Sequence, residues 1–305
     1  MVVWFLLDVF LFVKDYKAYT ERRQRPNFGY FLINPRGYFI DDFDIAYRPQ
    51  VGTQYKKTPI TLFGCSFAYG QYLDETEIFS AVLSEKLKRP VYNRAFPGWG
   101  LQHMYFQVKE TDKTDFYKTV PYSDTVIYIL MYDHYYRALI KGSYDTLDDS
   151  FYIHYKYNKN KKELKLDNFK NIFLNLLKSS YLFKFINENH AYKFIDNPNN
   201  KDYLTDFELC YFIETRKELE KNWKKPFKFI VFIYDYPTEA DPGNNVLKYE
   251  DLLIKKLKEH GFIVVTTGDL TDIDLSTEEY RQDNDHPTAK AWQLLTPLFI
   301  EKLNL

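Results

Sequence analysis

The chain has 305 residues, which is enough for one large domain or two small ones and for a sizeable buried core. Its formal net charge is −1, without the basic excess that is typical of nucleic-acid-binding proteins, so no nucleic-acid partner is expected. Its two cysteines, Cys65 and Cys210, are too few for a disulfide framework, which leaves the apolar core to hold the fold together.

Residues 1–57 are expected to form an N-terminal extension that begins with an apolar helix. Residues 2–13 are apolar apart from Asp8. A helix of this length spans about 18 Å, well short of the ~30 Å hydrocarbon core of a bilayer, and the segment lacks the features of a signal peptide. Basic residues follow it, and we expect the helix to pack on a domain or on a membrane surface, with a cell-envelope or membrane-associated location favoured over a cytoplasmic one. The end of a membrane anchor stays open as an alternative.

From residue 58 onward, strand and helix patterns alternate along the chain. Apolar runs predict five strands, at residues 60–63, 90–93, 125–131, 227–234 and 261–266. Amphipathic helices are predicted at residues 75–87, 101–110, 249–260 and 289–303. This alternation predicts one domain over residues 58–305, with a mainly parallel central sheet and helices on both faces.

An insertion of about residues 138–225 separates the third predicted strand from the fourth. Two runs that alternate between apolar and polar residues, on either side of a lysine-rich turn at residues 158–162, predict a β-hairpin. Apolar residues at helical spacing predict helices at residues 168–187 and 203–223. We therefore expect a single domain decorated by a hairpin and helices.

The stretch from Pro59 to Gly70 places a serine at the end of a buried strand. Gly64 ends the apolar run, and Ser66 follows it at the strand's carboxyl end. Ligands of open α/β sheets bind in the crevice outside these strand ends, and a helix start offers free backbone N–H groups. Ser66 is therefore the candidate nucleophile. An N-cap or turn role for Ser66, and Cys65 as the nucleophile, are the alternatives.

Three later stretches should emerge near the same edge of the sheet. Residues 93–102 contain Gly98, which permits a close backbone approach to a ligand. Residues 132–137 bring polar side chains directly after the third strand. In residues 283–289, His286 is a candidate general base, and Asp283 can orient its imidazole. A plain turn, a helix cap and a surface histidine are the respective structural alternatives.

These four stretches, in this order, resemble the blocks of the SGNH/GDSL hydrolase family. Gly64-Cys65-Ser66-Phe67 matches the nucleophile block, although many members carry Asp at the position of Cys65. Residues 93–100 match the second block, and residues 283–286 match the Asp-x-x-His of the last one. The sequence is similar to bacterial members associated with acyl groups on sugars and cell-envelope polysaccharides.

The resemblance implies a flavodoxin-like, three-layer α/β/α SGNH hydrolase fold around a five-stranded sheet. It also implies ester hydrolysis or acyl transfer through an acyl-enzyme on Ser66, with His286 and Asp283, without a metal or a cofactor. The backbone N–H groups of Ser66 and Gly98 would hold the oxyanion. A small-molecule or glycan ester is the expected substrate. The aromatic residues near these loops are candidates to shape its binding site, with core packing as the alternative: Tyr69, Trp99, Tyr132 and Tyr135.

One position departs from the family pattern. The third block should supply an Asn as oxyanion donor, but Asp133 stands there, followed by His134. An ionised carboxylate cannot donate a hydrogen bond, and losing one such donor typically costs a factor of about 10²–10³ in rate. Three accounts stay open: His134 donates instead, Asp133 is neutral or turned away to hold Arg137 or another group, or the protein is a catalytically weak or inactive binding or scaffold protein of the cell envelope.

Overall fold

The fold is described from a computed structural model. It describes residues 39–40, 46–48, 50–110, 115–131, 134, 137, 155–166, 201–234, 247–282 and 286–305. Along these residues the strands are β1 (Phe39–Ile40), β2 (Ala46–Tyr47), β3 (Ile60–Phe63), β4 (Val91–Asn93), β5 (Thr125–Leu130), β6 (Tyr155–Asn158), β7 (Glu163–Leu166), β8 (Lys228–Ile233), β9 (Ile263–Thr266), β10 (Arg281–Gln282) and β11 (His286–Pro287). The helices are α1 (Ser66–Tyr69), α2 (Phe79–Leu87), α3 (Leu101–Lys109), α4 (Phe116–Thr119), α5 (Lys201–Trp223), α6 (Leu247–Glu259) and α7 (Ala289–Leu303).

The central sheet has five strands, all parallel, in the order β4-β3-β5-β8-β9. Every residue of β3 and β5 is buried, because helices cover both faces of the sheet. The predicted five-stranded parallel sheet is therefore confirmed. Strand β3 lies second in this order, between β4 and β5, so its carboxyl end opens near the point where the strand order reverses.

Alternate residues of each strand enter two separate cores, one on each side of the sheet. Val126, Tyr128 and Leu130 of β5 face the core that includes α3, α5 and α6. Ile127 and Ile129 face the core that includes α2 and α7. The period of two along the strand thus distributes one apolar run between two helical layers, and this produces the three-layer architecture.

The helices lie close to their predicted bounds. Helices α3, α6 and α7 begin and end within two residues of the predictions. Helix α2 starts later than predicted, at Phe79, because residues 74–77 form a turn in which Glu77 N–H donates to Asp74 O at 3.0 Å. No helix among the described residues combines the length and the apolar character that a membrane span requires.

The predicted hairpin of the insertion is present as the antiparallel pair β6 and β7. Its Tyr155 is 2% exposed and packs against Tyr105 of α3 and Tyr211 of α5, which fastens the hairpin to one helical layer. Helix α5 corresponds to the helix predicted at residues 203–223. The helix predicted at 168–187 and the apolar segment 2–13 lie outside the described residues.

Candidate active site

The candidate nucleophile begins a single helical turn at the carboxyl end of β3. Gly64 leaves the strand at φ +151°, and a Cβ there would lie 2.7 Å from the Ala68 Cβ atom. Ser66 opens α1, which Gly70 ends in the left-handed conformation at φ +76°. Within the turn, Tyr69 N–H donates to Cys65 O at 2.9 Å. Because the first N–H groups of a helix have no partner within it, the start of α1 presents donors beside the Ser66 hydroxyl.

Asn93 of the neighbouring strand holds this turn in place. Its Nδ2 atom donates to Ala68 O at 2.8 Å and to Ser80 Oγ at 3.2 Å. Its Oδ1 atom accepts from Ala95 N–H at 3.1 Å. The side chain is 2% exposed, so these bonds are shielded from water. One buried amide therefore joins the nucleophile turn to Ala95, which directly precedes the glycine-containing loop of residues 96–100.

Cys65 is oriented away from any surface. Its side chain is fully buried, and its Sγ atom lies 3.2 Å from the Sδ atom of Met131. A buried thiol against a thioether packs as an apolar group. This environment favours Ser66 over Cys65 as the nucleophile.

The glycine loop, residues 96–100, is held at its C-terminal half by Arg137, which the sequence offered only as a partner of Asp133, and by His103, which no sequence pattern marked. Arg137 Nη1 donates to Trp99 O at 2.8 Å, and Gly100 N–H donates to His103 Nδ1 at 3.1 Å. The His103 ring stacks on Trp99, with centroids 5.2 Å apart and planes at 6°. Gly98 has φ +79°, and a Cβ built there would meet nothing within 4 Å beyond its chain neighbours. The loop is thus rigidly held while Gly98 faces open space.

His134 is fully buried, three residues after Met131. Its Nδ1 atom is 2.9 Å from the hydroxyl of Tyr128, which faces the core of α3 and α5. Burial lowers the pKa of His134 well below its ordinary value of 6.5, with smaller contributions from Arg137 and His103. The imidazole is therefore neutral at physiological pH. Donation by His134 to an oxyanion stays a prediction, since its observed hydrogen bond is to Tyr128.

His286 lies at the start of β11, in a short antiparallel hairpin with β10 that was expected to be a loop. The hairpin docks on the nucleophile turn. The His286 ring centroid is 5.2 Å from that of Phe67 and 5.3 Å from that of Tyr72, which meets it edge to face at 90°. Gln282 Nε2 donates to Gln71 O at 3.3 Å. The structure thus brings the segments of Ser66 and His286 together through contacts between the His286 ring and the rings of Phe67 and Tyr72.

Of the four aromatic candidates for the substrate site, the structure describes Tyr69 and Trp99. Tyr69 and Trp99 are each 3% exposed, and both pack on Phe96, with centroid separations of 5.7 and 5.5 Å. Their direct contact with a substrate stays a prediction. The other candidates, Asp133, Tyr132, Tyr135 and Asp283, lie outside the described residues. Within the described ranges, no group of three or more His, Cys, Asp or Glu side chains could hold a metal ion.

Arg48 and Tyr72 are two further residues at the site that no sequence pattern marks. Arg48 comes directly after β2, in the segment predicted to be an extension, and it is 7% exposed. It donates to backbone carbonyl groups at the end of α1 and just after it. Tyr72 has a left-handed backbone, at φ +69°. A signal for either residue would have required knowledge of the loop conformation.

No protein-family model and no curated protein matches the chain. Solved structures resemble it in fold. A member of the lipolytic protein G-D-S-L family from Veillonella parvula DSM 2008 is 12% identical, with a TM-score of 0.47, and the match covers 81% of this chain and 99% of that one. An acetyl xylan esterase from the rumen bacterium Butyrivibrio proteoclasticus is 12% identical, with a TM-score of 0.45, over 82% of this chain and 64% of that one.

A third similar structure is a salicylyl-acyltransferase from a tetracycline biosynthetic pathway. It is 9% identical, with a TM-score of 0.42, over 82% of this chain and 55% of that one. The first of these structures is a member of the G-D-S-L family, the family that the four sequence blocks resemble. At these identities the likeness concerns the path of the chain and not its chemistry.

Proposed function

We propose that the protein is a serine-dependent ester hydrolase or O-acyl transferase that acts on an acylated carbohydrate or another small ester. The observation that carries this proposal is the docking of the His286 hairpin on the turn that Ser66 begins. The turn lies at the carboxyl end of β3, where an open α/β sheet binds its ligands. The sugar-linked substrate is suggested by the resemblance of the sequence blocks to bacterial family members.

In the proposed reaction, His286 accepts the proton of the Ser66 hydroxyl as the Oγ atom attacks the ester carbonyl. The N–H groups of Ser66 and Gly98 hold the oxyanion that forms. The tetrahedral intermediate then expels the alcohol, which takes the proton from His286 and leaves an acyl group on Ser66. Water or a sugar hydroxyl, deprotonated by His286, attacks this acyl-enzyme and releases the product. Asp283 would orient the imidazole.

A serine-reactive fluorophosphonate tests this proposal. Ser66 Oγ would displace fluoride from phosphorus, and intact-mass spectrometry would record one adduct on the wild type. Ser66→Ala and His286→Ala should each abolish the adduct, because one removes the nucleophile and the other its base. Ser123→Ala is the matched control, since Ser123 Oγ is fully buried in a bond of 2.7 Å to Thr61 Oγ1, before β5 begins. This variant should still form the adduct.

The alternative is a catalytically weak or inactive binding or scaffold protein. Asp133 in place of the expected Asn motivates it. A folded wild type that forms no adduct, yet binds an acylated or deacylated glycan saturably, would overturn the hydrolase proposal in favour of this one. Full labelling of Ser66→Ala would instead place the reactive group elsewhere.

A further inference from the structure

Arg48 makes three side-chain bonds to the backbone at the end of the candidate nucleophile's helical turn and just after it. Its Nε atom donates to Tyr69 O at 3.1 Å, and its Nη2 atom donates to Gly70 O at 2.7 Å and to Leu73 O at 2.9 Å. Its guanidinium carbon also lies 4.7 Å from the centroid of the Tyr69 ring. A planar guanidinium with several fixed donors suits such a cluster of acceptors, whereas the ammonium of lysine is a single point of charge.

We call residues 70–73 the bridging loop. Arg48 binds carbonyl groups at both of its ends. This loop is bonded directly to the nucleophile, because Ser66 O accepts from Gly70 N–H at 2.9 Å and from Gln71 N–H at 3.0 Å. The loop is also bonded to the hairpin of His286, through Gln282 Nε2 and Gln71 O at 3.3 Å. The bridging loop thus connects the two segments that carry the proposed nucleophile and base.

Tyr72, in the middle of the bridging loop, has a conformation that its side chain disfavours. A left-handed backbone costs an L-residue other than glycine free energy, and such strain persists only where the surroundings hold it. The other described residues of this kind, Lys88, Lys162, Lys224 and Asn304, follow a helix or lie in the β6–β7 turn. Tyr72 instead presents its ring to His286 at 5.3 Å. The bonds from Arg48 to Gly70 O and Leu73 O are on both sides of this strained residue.

We propose that Arg48 is a positioning residue for the reaction. Its guanidinium fixes the bridging loop, and the loop fixes the position of Ser66 relative to the ring of His286. This inference rests on the proposed function. Arg48 itself contacts no reacting atom, so its removal should lower kcat and leave KM little changed. A shift of about 1 Å in a catalytic group can cost about 10²-fold in rate, and we expect a loss of this order for Arg48→Ala.

Arg89→Ala is the matched control. Arg89 is partly buried and, like Arg48, donates to backbone carbonyl groups, Thr58 O at 2.9 Å and Pro59 O at 3.3 Å, but at the opposite end of β3. Both variants and the wild type are first checked for the fluorophosphonate adduct and for cooperative unfolding. Hydrolysis of an activated acetyl ester then gives kcat and KM. Hydrogen exchange gives the protection of the amides of residues 69–73.

The proposal expects a lower kcat and faster exchange of these amides in Arg48→Ala alone, with kcat restored by added guanidinium at a concentration that leaves the wild type unchanged. An unchanged kcat, a loss confined to KM, or an equal loss in Arg89→Ala would overturn it. Should Arg48→Ala not fold, Arg48→Lys decides: a fall in kcat of about 10-fold supports the proposal, and a wild-type kcat contradicts it. A wild type without adduct would overturn the proposed function, and the exchange comparison would still decide whether Arg48 holds the loop.

Discussion

The two ends of strand β3 are each bound by an arginine, but the two arginines have different surroundings. At the amino end, Arg89 binds Thr58 O and Pro59 O and also pairs with Asp124. At the carboxyl end, Arg48 binds backbone carbonyl groups, and no carboxylate of the described residues pairs with it. At the amino end the arginine thus belongs to an ion pair beside the sheet. At the carboxyl end the arginine holds the backbone of a loop.

The backbone near these ends also differs. Left-handed residues lie at both ends: Gly52 and Lys88 near the amino end, at φ +72° and +53°, and Gly64 and Tyr72 past the carboxyl end, at φ +151° and +69°. Lys88 has this conformation where α2 ends, as is common at the end of a helix, whereas Tyr72 lies in a loop and presents its ring to His286. Strain at a residue such as Tyr72 is expected where the surrounding structure supports a site. We therefore infer a structural role for the amino end of β3 and a functional role for the carboxyl end.

The largest expected effect comes from Gly64→Ala at the carboxyl end. The added Cβ would lie 2.7 Å from Ala68 Cβ and 3.1 Å from Ile129 O, and an alanine at φ +151° is strained. Overpacking and backbone strain together should lower the free energy of unfolding by about 3 kcal/mol. Gly98→Ala is the matched variant, since φ is +79° but nothing obstructs the Cβ, and it should lose only about 1 kcal/mol. Urea unfolding of both variants checks this, and equal losses would show that the crowding at Gly64 is relieved.

A smaller effect concerns the pH dependence that His134 confers. Its pKa in the folded protein lies well below 6.5, so the unfolded chain binds more protons as the pH falls below 6.5. The stability from His134 is therefore complete above that pH and is lost below it, at up to about 1.4 kcal/mol per pH unit. His134→Gln should reduce this slope in urea unfolding curves measured from about pH 7 to 5. If His134→Gln and the wild type lost stability equally between these pH values, then His134 would be protonated in the folded state.

Much of the fold could be predicted from the sequence, because its strands are apolar runs with strong local signals. Strands β3 and β5 are buried throughout, so almost every residue in them contributes to the pattern. Ser66 and Gly98 lie in the segments that follow β3 and β4, as the same reasoning predicts, because the carboxyl ends of parallel strands open at one edge of the sheet. Their chemical roles stay predictions. The location of a residue could thus be predicted where the strand before it has a strong signal.

The remaining parts of the site depend on contacts between distant segments. Arg48 binds carbonyl groups more than twenty positions later in the chain, and a backbone acceptor leaves no trace in residue identity. The hairpin of β10 and β11 has two residues in each strand, which is too short for a period to be recognised. The φ angle of Tyr72 is imposed by the loop against the preference of a tyrosine. None of these features could be predicted from local sequence propensity, and such failures are expected at a functional site.

The smallest expected effect tests the amino end of β3. A double-mutant cycle on Arg89→Ala and Asp124→Ala measures their coupling in the free energy of unfolding. The two side chains are 14% and 40% exposed, so water screens the pair, and the coupling should be below about 1 kcal/mol. It should shrink further in molar salt, because the Debye length falls to about 3 Å. A coupling that persists in salt would mean that the amino end, like the carboxyl end, relies on bonds shielded from solvent, and the contrast between the two ends of β3 would then rest on backbone strain alone.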